Sequence, residues 1–219
     1  RFALANGLEP ELVPVERFAE MIPALLTGRG DVIAANLTVT EARRKHIAFS
    51  VPITTVRQQV LVAHDDAVSK AEDLAGRRVM VEPGSSFWER LDALRERYPD
   101  IELVPRPDDM SDEEVLDAVA AGRIDATVRD SNVASMYLRY RDDLKLAFSL
   151  PHVDDIAWGI RPDAHRLRAA LNKFLHLEFR RGAGKDALTD DFEGIKKRRV
   201  LRVVMPNFVG SARFFAACA

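Results

Sequence analysis

The chain has 219 residues, of which 47% are hydrophobic and 30% charged, and 32 basic and 34 acidic residues give a formal net charge of −2. This composition is ordinary for a globular protein that buries a sizeable core, and the charge gives no overall argument for nucleic acid or an anionic membrane as partner. The single cysteine, Cys218, excludes an intrachain disulfide and therefore a disulfide-dense secreted scaffold. No apolar run approaches the ~20 residues of a membrane-spanning helix.

Strands and helices are predicted to alternate along the chain. Strands are expected at 11–15, 31–36, 58–64, 78–82, 101–105, 124–128, 144–149, 156–161 and 200–206, and helices at 18–26, 86–98, 112–121, 132–141 and 163–181. Pro23 is expected to shorten or restart the first helix. Ser111 and Glu114 form a capping box that opens the helix at 112–121. The alternation predicts an α/β fold with mostly parallel sheets, which bind ligands at the carboxyl ends of strands.

The segment from Gly28 to Pro52 carries the strongest indication of a binding site. Its run DVIAANL is typical of a strand buried on both faces, and Thr38, Thr40 and Arg43 follow at the carboxyl end. Thr40 suits the N-cap of the helical turn TEARRK, which places Arg43 beside unpaired backbone N–H groups. A guanidinium, hydroxyls and a helix N-terminus at one place favour a carboxylate or another small anion.

Two more polar loops follow predicted strands in the second half of the chain. Ser85 and Ser86 follow the strand RVMVE and precede a helix, where they suit either a ligand carboxylate or helix capping. Asp130 follows the strand IDATV, and from its position alone it is a candidate N-cap for the next helix. Carboxyl ends of parallel strands share one edge of a sheet, so these loops are candidate site residues.

The segment LTVTEARRKHIAFSVP resembles the pattern L-T-x-T-x-x-R-x-x-x-x-x-F-S-x-P of bacterial extracellular solute-binding proteins of family 3, the periplasmic amino-acid-binding proteins of the Venus-flytrap type. Three further segments resemble this family in the same order, DLAGRRVMVEPGSS, AAGRIDATVRDSNVASMYL and AWGIRPDAHRLRAALNKFL. The run MIPALLTGRGDVIAANLTVT is most similar to the regulatory domain of membrane-bound lytic murein transglycosylase F and its relatives.

The resemblance implies a two-lobed α/β fold of the periplasmic-binding-protein type II, with mostly parallel sheets and a two-strand hinge. Lobe one would comprise 1–60 and 157–199, and lobe two 61–156. Members of the family open lobe one with a strand of the type V-L-R-V, and this chain instead carries VLRVVMPNF at 200–208. The segment 200–219 is therefore expected either to complete lobe one or to begin a second, tandem solute-binding domain. The chain is expected to be part of a longer polypeptide.

The resemblance also implies roles for residues in lobe one. Arg43 would clamp the carboxylate of the ligand, and the Thr38 hydroxyl would assist it. Asn36 stands where the family has a small residue that offers its backbone carbonyl, so its side chain would narrow the pocket or add a polar contact. Trp158, on a crossover strand, would line the cleft, although core packing is the better interpretation of its position.

In lobe two, the resemblance implies that Asp130 holds the ammonium group of the ligand. The position of Ser85 and Ser86 ahead of a helix suits contact with its carboxylate, with helix capping as the alternative. Glu82 departs from the basic or neutral residue that the family often has near this position. An acid there would repel a carboxylate and attract a cationic group, which weakens the expectation of an ordinary α-amino acid.

The resulting hypothesis is a non-catalytic periplasmic or extracytoplasmic module that captures a small zwitterionic or anionic ligand, an amino acid or short peptide, by hinge closure. It would serve ABC-type uptake through a membrane permease, or regulation within its own polypeptide. A sensory domain of a membrane histidine kinase, a regulatory domain of a lytic transglycosylase and, less favoured, a small-carboxylate dehydratase remain as alternatives. No catalytic residue, metal, cofactor or nucleic acid is predicted, and a domain-swapped dimer is a further possibility.

Overall fold

In the computed structural model, which describes residues 1–179, 195–197 and 199–206, the chain forms two compact units. Lobe one comprises Arg1–Thr54 and Asp155–Ala219, and lobe two comprises Thr55–Asp154. Within the described residues each lobe has its own five-stranded sheet. No helix in these residues is long and apolar enough to span a membrane.

The elements of the described residues follow one another as an alternation of strands and helices. The strands are β1 (Glu9–Val15), β2 (Val32–Ile33), β3 (Ala48–Phe49), β4 (Thr54–Ala63), β5 (Arg78–Val81), β6 (Glu102–Pro105), β7 (Ala126–Asp130), β8 (Leu144–Ile156), β9 (Gly159–Ile160) and β10 (Val200–Pro206). The α-helices are α1 (Phe2–Ala5), α2 (Met21–Leu26), α3 (Glu41–Arg44), α4 (Ser86–Arg95), α5 (Asp112–Ala120), α6 (Ser131–Tyr137) and α7 (His165–Phe179).

The sheet of lobe one has the strand order β1-β10-β2-β9-β3. Strand β10 is parallel to β1 from Glu9 opposite Val200 to Val15 opposite Pro206, and parallel to β2 on its other side. Strand β9 is antiparallel to both β2 and β3, so this sheet is mixed. The reason is that segment 155–160 returns into lobe one beside segment 37–39 and runs in the opposite direction.

Two features of the segment before β2 allow β10 to lie between β1 and β2, a buried carboxylate and a residue without a side chain. Asp31, which is 1% exposed, accepts hydrogen bonds from the backbone N–H of Arg202 at 3.0 Å and from Nη2 of Arg161 at 3.3 Å. At Gly30, a Cβ atom would lie 2.2 Å from Cγ2 of Val204. Glycine therefore permits the close approach of the two strands at this point.

Helices cover both faces of the lobe one sheet. On one face, α7 packs with α1 and the sheet in a cluster that includes Phe2, Ile160, Leu167, Leu171 and Leu201. On the other face, α2 contributes to a cluster that includes Met21, Leu25, Ile33, Leu37 and Val204. Because alternate residues of β10 enter the two clusters, this strand belongs to the core of lobe one.

The sheet of lobe two has the order β6-β5-β7-β4-β8. Strand β5 is parallel to β6 and β7, whereas β4 is antiparallel to β7, so this sheet is mixed as well. Helix α4 packs on one apolar cluster through Leu91, and α5 packs on another through Val115 and Leu116. The carboxyl ends of β5, β6 and β7 consequently meet at one edge, near the beginning of β4.

Several predicted elements differ in extent from the observed ones. The first helix is divided into a 3₁₀ turn, Phe18–Glu20, and α2, with Pro23 in the first turn of α2, where the backbone N–H has no helical acceptor to lose. The predicted strand at 31–36 is reduced to β2, because Asn36 has a φ of +52° and turns the chain out of the extended conformation. The predicted strand at 156–161 is likewise reduced to β9.

Candidate functional site

The lobe one part of the candidate site is built around Arg43. Thr40 is the N-cap of α3, and its side-chain oxygen accepts a hydrogen bond from the backbone N–H of Arg43 at 3.3 Å. The Arg43 residue is only 5% exposed, and its Nη1 donates to the backbone carbonyl of Thr38 at 2.8 Å. Its guanidinium carbon also lies 5.3 Å from the ring centroid of Phe18, within the range of a cation–π contact. These contacts hold a buried guanidinium in a fixed orientation.

Thr38 and Asn36 lie in the short segment between β2 and α3. Thr38 is 3% exposed and forms an isolated antiparallel bridge with Ile156. The next residue, Val39, donates its backbone N–H to the carbonyl of Asp155 at 2.9 Å. Thr38 therefore positions Arg43 through its backbone carbonyl, a contact that the sequence analysis had assigned to no residue. A ligand contact of the Thr38 hydroxyl or of Asn36 stays a prediction.

Trp158 lies beside the end of β3 in lobe one. Its backbone N–H donates to the Ser50 hydroxyl at 3.0 Å, and its carbonyl accepts from the Ser50 backbone N–H at 2.9 Å. The indole is partly buried and packs against the cluster of Ile160 and Leu167. These contacts correspond to the core-packing interpretation, and a role of Trp158 in lining a ligand cleft stays a prediction.

In lobe two, Ser85 and Ser86 occupy the N-terminus of α4. Ser85 is the N-cap, since its side-chain oxygen accepts a hydrogen bond from the backbone N–H of Trp88 at 3.2 Å. The Ser85 hydroxyl also donates a hydrogen bond to the Glu82 carbonyl at 2.6 Å. Ser86 differs, because its hydroxyl oxygen accepts from Nε2 of Gln58 at 3.2 Å. Ser85 thus stabilises the start of the helix, whereas Ser86 contacts the adjacent sheet.

Asp130 ends β7 directly opposite Gln58 of β4. The two residues are 3% and 1% exposed. Asp130 occupies the N-cap position of α6, but its side chain makes no capping hydrogen bond. The capping interpretation of this carboxylate is therefore not realised in the structure. A contact of Asp130 with the ammonium group of a ligand stays a prediction.

Glu82 belongs to a buried network of charges at the carboxyl ends of β5 and β6. Its Oε2 lies 2.8 Å from Nε of Arg106, whose Nη1 lies 2.6 Å from Oδ1 of Asp112. The same Asp112 oxygen accepts from Nη2 of Arg129 at 3.2 Å. Burial raises the pKa of Glu82, and the charge of Arg106 opposes this effect. The Glu82 carboxylate is thus paired within lobe two, and its predicted influence on the ligand stays a prediction.

The sequence analysis missed Gln58, Arg106 and Arg129. Arg106 directly follows the predicted strand IELVP and Arg129 directly follows the predicted strand IDATV, so a charged residue at a strand end was the available signal. Gln58 shares the alternation of Val60 and Val62, which are both fully buried, and this period of two places its amide on a buried face. Its pairing with Asp130 depends on strand register, which the sequence alone left open.

The chain is similar in sequence to a group of curated proteins. Proteins named membrane-bound lytic murein transglycosylase F are 34% identical over 155 residues in Desulfosudis oleivorans and 33% identical over 191 residues in Saccharophagus degradans. These matches cover 70% and 85% of this chain but only 34% and 38% of the relatives. The chain therefore spans less than two fifths of the length of these curated relatives.

Solved structures of arginine-binding proteins have the same fold. The arginine-bound form of truncated ArgBP from T. maritima matches with a TM-score of 0.68 and 28% identity, over 78% of this chain and 77% of that one. An ancestral arginine-binding protein bound to arginine matches with a TM-score of 0.73 and 25% identity, over 90% and 83% of the two chains. The family model of bacterial extracellular solute-binding proteins, family 3, matches residues 1–183. With its two α/β lobes and this match over most of its length, the chain belongs to family 3 of the bacterial extracellular solute-binding proteins.

Proposed function

We propose that this chain is a non-catalytic module that binds an amino acid or a short peptide through its carboxylate and its ammonium group. The observation that carries the proposal is the buried, oriented guanidinium of Arg43. Capture by closure of the two lobes about their connecting segments is part of the proposal, as is a periplasmic or other extracytoplasmic location. The extracellular solute-binding family supports both.

Arg43 is suited to a carboxylate for two reasons. The guanidinium is a planar fork of donors that matches the two oxygens of a carboxylate. Its hydrogen bond to the Thr38 carbonyl and its contact with the Phe18 ring fix the side chain before a ligand arrives. A preorganised donor loses less conformational entropy on binding than a flexible surface arginine.

Lobe two offers the complementary chemistry. Asp130 and Gln58 place a buried carboxylate and a buried amide opposite each other across β7 and β4, and Ser86 adds a hydroxyl beside the amide. Acceptor groups of this kind stabilise an ammonium group. Lobe two would therefore recognise the ammonium group of a zwitterion.

The comparisons suggest which ligands to test first. The neighbouring structures are named for bound arginine, which makes L-arginine the first probe. The similarity to murein transglycosylase F favours a second candidate function, the regulation of such an enzyme by fragments of the cell wall. Uptake through a membrane permease is the corresponding function for a free amino acid.

Isothermal titration calorimetry with L-arginine, L-glutamine, L-alanine and a muropeptide preparation tests the proposal. Binding of a free amino acid supports the amino-acid module, and binding of muropeptides alone supports the regulatory function. Absence of heat with all four ligands, for protein with a cooperative thermal transition, contradicts the proposal.

A further inference from the structure

The buried network of ion pairs in lobe two joins the segments that follow three neighbouring strands. Arg106 is at its centre, with a side chain that is only 5% exposed. Its Nε lies 2.8 Å from Oε2 of Glu82, which follows β5, and its Nη1 lies 2.6 Å from Oδ1 of Asp112, at the start of α5. Nη2 of Arg129, in β7, donates to the same Asp112 oxygen at 3.2 Å. The network therefore links the carboxyl ends of β5, β6 and β7 to one helix.

This network lies on the opposite face of the sheet from the residues proposed to contact the ligand. Arg129 directly precedes Asp130 in β7, and successive side chains of a strand point to opposite faces. Arg129 reaches Asp112 of α5 on one face. On the other face, Gln58 lies opposite Asp130 and contacts Ser86 at the start of α4. The network can therefore influence a ligand only through the backbone that connects the two faces.

That connection is the turn between Glu82 and Ser85. The Glu82 carbonyl accepts hydrogen bonds from the Ser85 backbone N–H at 3.2 Å and from the Ser85 hydroxyl at 2.6 Å. The Ser85 oxygen in turn accepts from the backbone N–H of Trp88 in α4. Gly84 has a φ of +74°, a conformation that favours glycine, the residue with the least restricted backbone. Such a turn needs a fixed end to hold one geometry, and the ion pair of Glu82 with Arg106 supplies it.

The start of α5 depends less on Arg106 than this turn does. Ser111 and Glu114 form a reciprocal capping box, in which the Ser111 hydroxyl accepts from the Glu114 backbone N–H at 3.2 Å and the Glu114 carboxylate accepts from the Ser111 backbone N–H at 2.7 Å. The helix dipole also favours the carboxylate of Asp112 in the first turn. Because these features hold α5 by themselves, the particular effect of Arg106 falls on Glu82 and its turn.

We infer that Arg106 is a positioning residue for the lobe two part of the ligand site. Through its ion pair with Glu82 it fixes the turn that orients the hydroxyls of Ser85 and Ser86, and it does so without contact with the ligand. This inference rests on the proposed function and adds to it a residue on the far face of the sheet. Binding groups keep a productive geometry only when the residues that support them are themselves held by packing and polar contacts.

The test uses the double variant Glu82→Met/Arg106→Met. It exchanges a buried ion pair for apolar side chains of similar length, and such exchanges are often neutral or stabilising, while Asp112 keeps Arg129 as its partner. We expect a thermal transition close to that of wild type. The affinity for L-arginine should nevertheless fall at least about fivefold, within the range of coupling between residues of one network. If wild type prefers another amino acid in calorimetry, that amino acid replaces L-arginine.

Amide hydrogen exchange separates positioning from a general structural role. In the double variant, the N–H groups of Ser85 and Trp88, which hydrogen-bond within the turn and the cap of α4, should exchange faster. The N–H group of Glu114, in the capping box of α5, should exchange as in wild type. Faster exchange at all three groups with unchanged affinity would show a merely structural network, and unchanged exchange at Ser85 would show that Arg106 does not hold the turn; either result overturns the inference.

Arg141→Met is the matched control, since the Arg141 guanidinium also pairs with two carboxylates of lobe two, Asp117 of α5 and Asp143, each at 2.8 Å. It should leave the affinity and the exchange at Ser85 unchanged. If the double variant does not fold, Glu82→Gln removes the charge of the turn and leaves Arg106 paired with Asp112. This variant is then expected to show the same faster exchange at Ser85, and exchange equal to that of wild type would overturn the inference.

Failure of the proposed function has a different signature. In that case wild type itself binds none of the amino acids, and the inference falls with it. When wild type binds an amino acid and the double variant binds it equally well, only the role of Arg106 is wrong.

Discussion

Replacement of Gly30 by alanine tests whether β10 lies inside the lobe one sheet, between β1 and β2. The added Cβ would meet Cγ2 of Val204 at 2.2 Å, far inside van der Waals contact. Overpacking of a core by one methyl group typically costs about 1–3 kcal/mol. We therefore expect Gly30→Ala to lower the free energy of unfolding by about that amount.

The double variant makes the test specific for the strand. Val204→Ala removes the clashing Cγ2 and leaves the Arg202 carbonyl and the Val204 backbone nitrogen at 3.4 Å from the new Cβ. By itself, Val204→Ala costs about 2 kcal/mol for two buried methyl groups at about 0.8 kcal/mol each plus a cavity. In that background, Gly30→Ala should cost little, so the two substitutions should be non-additive by about 1–3 kcal/mol.

Urea unfolding monitored by circular dichroism measures all four proteins of the cycle. Val203→Ala serves as the control, because Val203 packs in the cluster on the opposite face of the sheet and should combine additively with Gly30→Ala. Additivity of Gly30→Ala and Val204→Ala within about 0.5 kcal/mol would show that β10 does not lie beside Gly30. That result would refute the position of β10 and favour a segment that belongs to another domain.

Three further predictions concern the ligand and the pH dependence of stability. Arg43→Ala should weaken L-arginine binding in calorimetry by at least about 30-fold, since loss of a charge-assisted pair in a buried site costs about 2–5 kcal/mol. The control is Arg44→Ala, which changes the exposed neighbouring arginine. Equal affinities of the two variants for L-arginine would remove Arg43 from the site. Because burial raises the pKa of Glu82 above its ordinary value of 4.5, the folded protein holds this proton more tightly than the unfolded chain. The stability contributed by Glu82 is therefore lost as pH rises from about 4.5 through the folded pKa. In urea titrations, the free energy of unfolding of Glu82→Gln relative to that of wild type should increase over that pH range. A decrease instead would mean that the charge of Arg106 outweighs burial. Saturating L-arginine should reduce the radius of gyration in small-angle scattering if the lobes close about their connecting segments, and identical profiles would contradict hinge closure.

Short-range features of this protein follow from the sequence with little ambiguity. The capping box of Ser111 and Glu114 forms as predicted, and Thr40 caps the helical turn that carries Arg43. The proximity of Arg43 to Thr38 is of the same kind, since the two residues are five positions apart in the chain. Such contacts depend on local backbone geometry, and a few residues contain all the information that specifies them. The membership in family 3 was also recognisable, because its motifs are short local patterns in a fixed order.

Only the tertiary structure decided the contacts that join distant parts of the chain. The sequence left open whether 200–206 completes lobe one. In the structure this segment pairs with β1 and β2. The Asp31 carboxylate accepts a hydrogen bond from its backbone, and the absence of a side chain at Gly30 leaves room for Val204. The burial of Glu82 against Arg106 and the pairing of Gln58 with Asp130 likewise depend on which strands become neighbours and in which register. A shift of one residue in register turns every side chain of a strand to the other face, so the chemistry of the lobe two site is fixed by packing across the whole sheet.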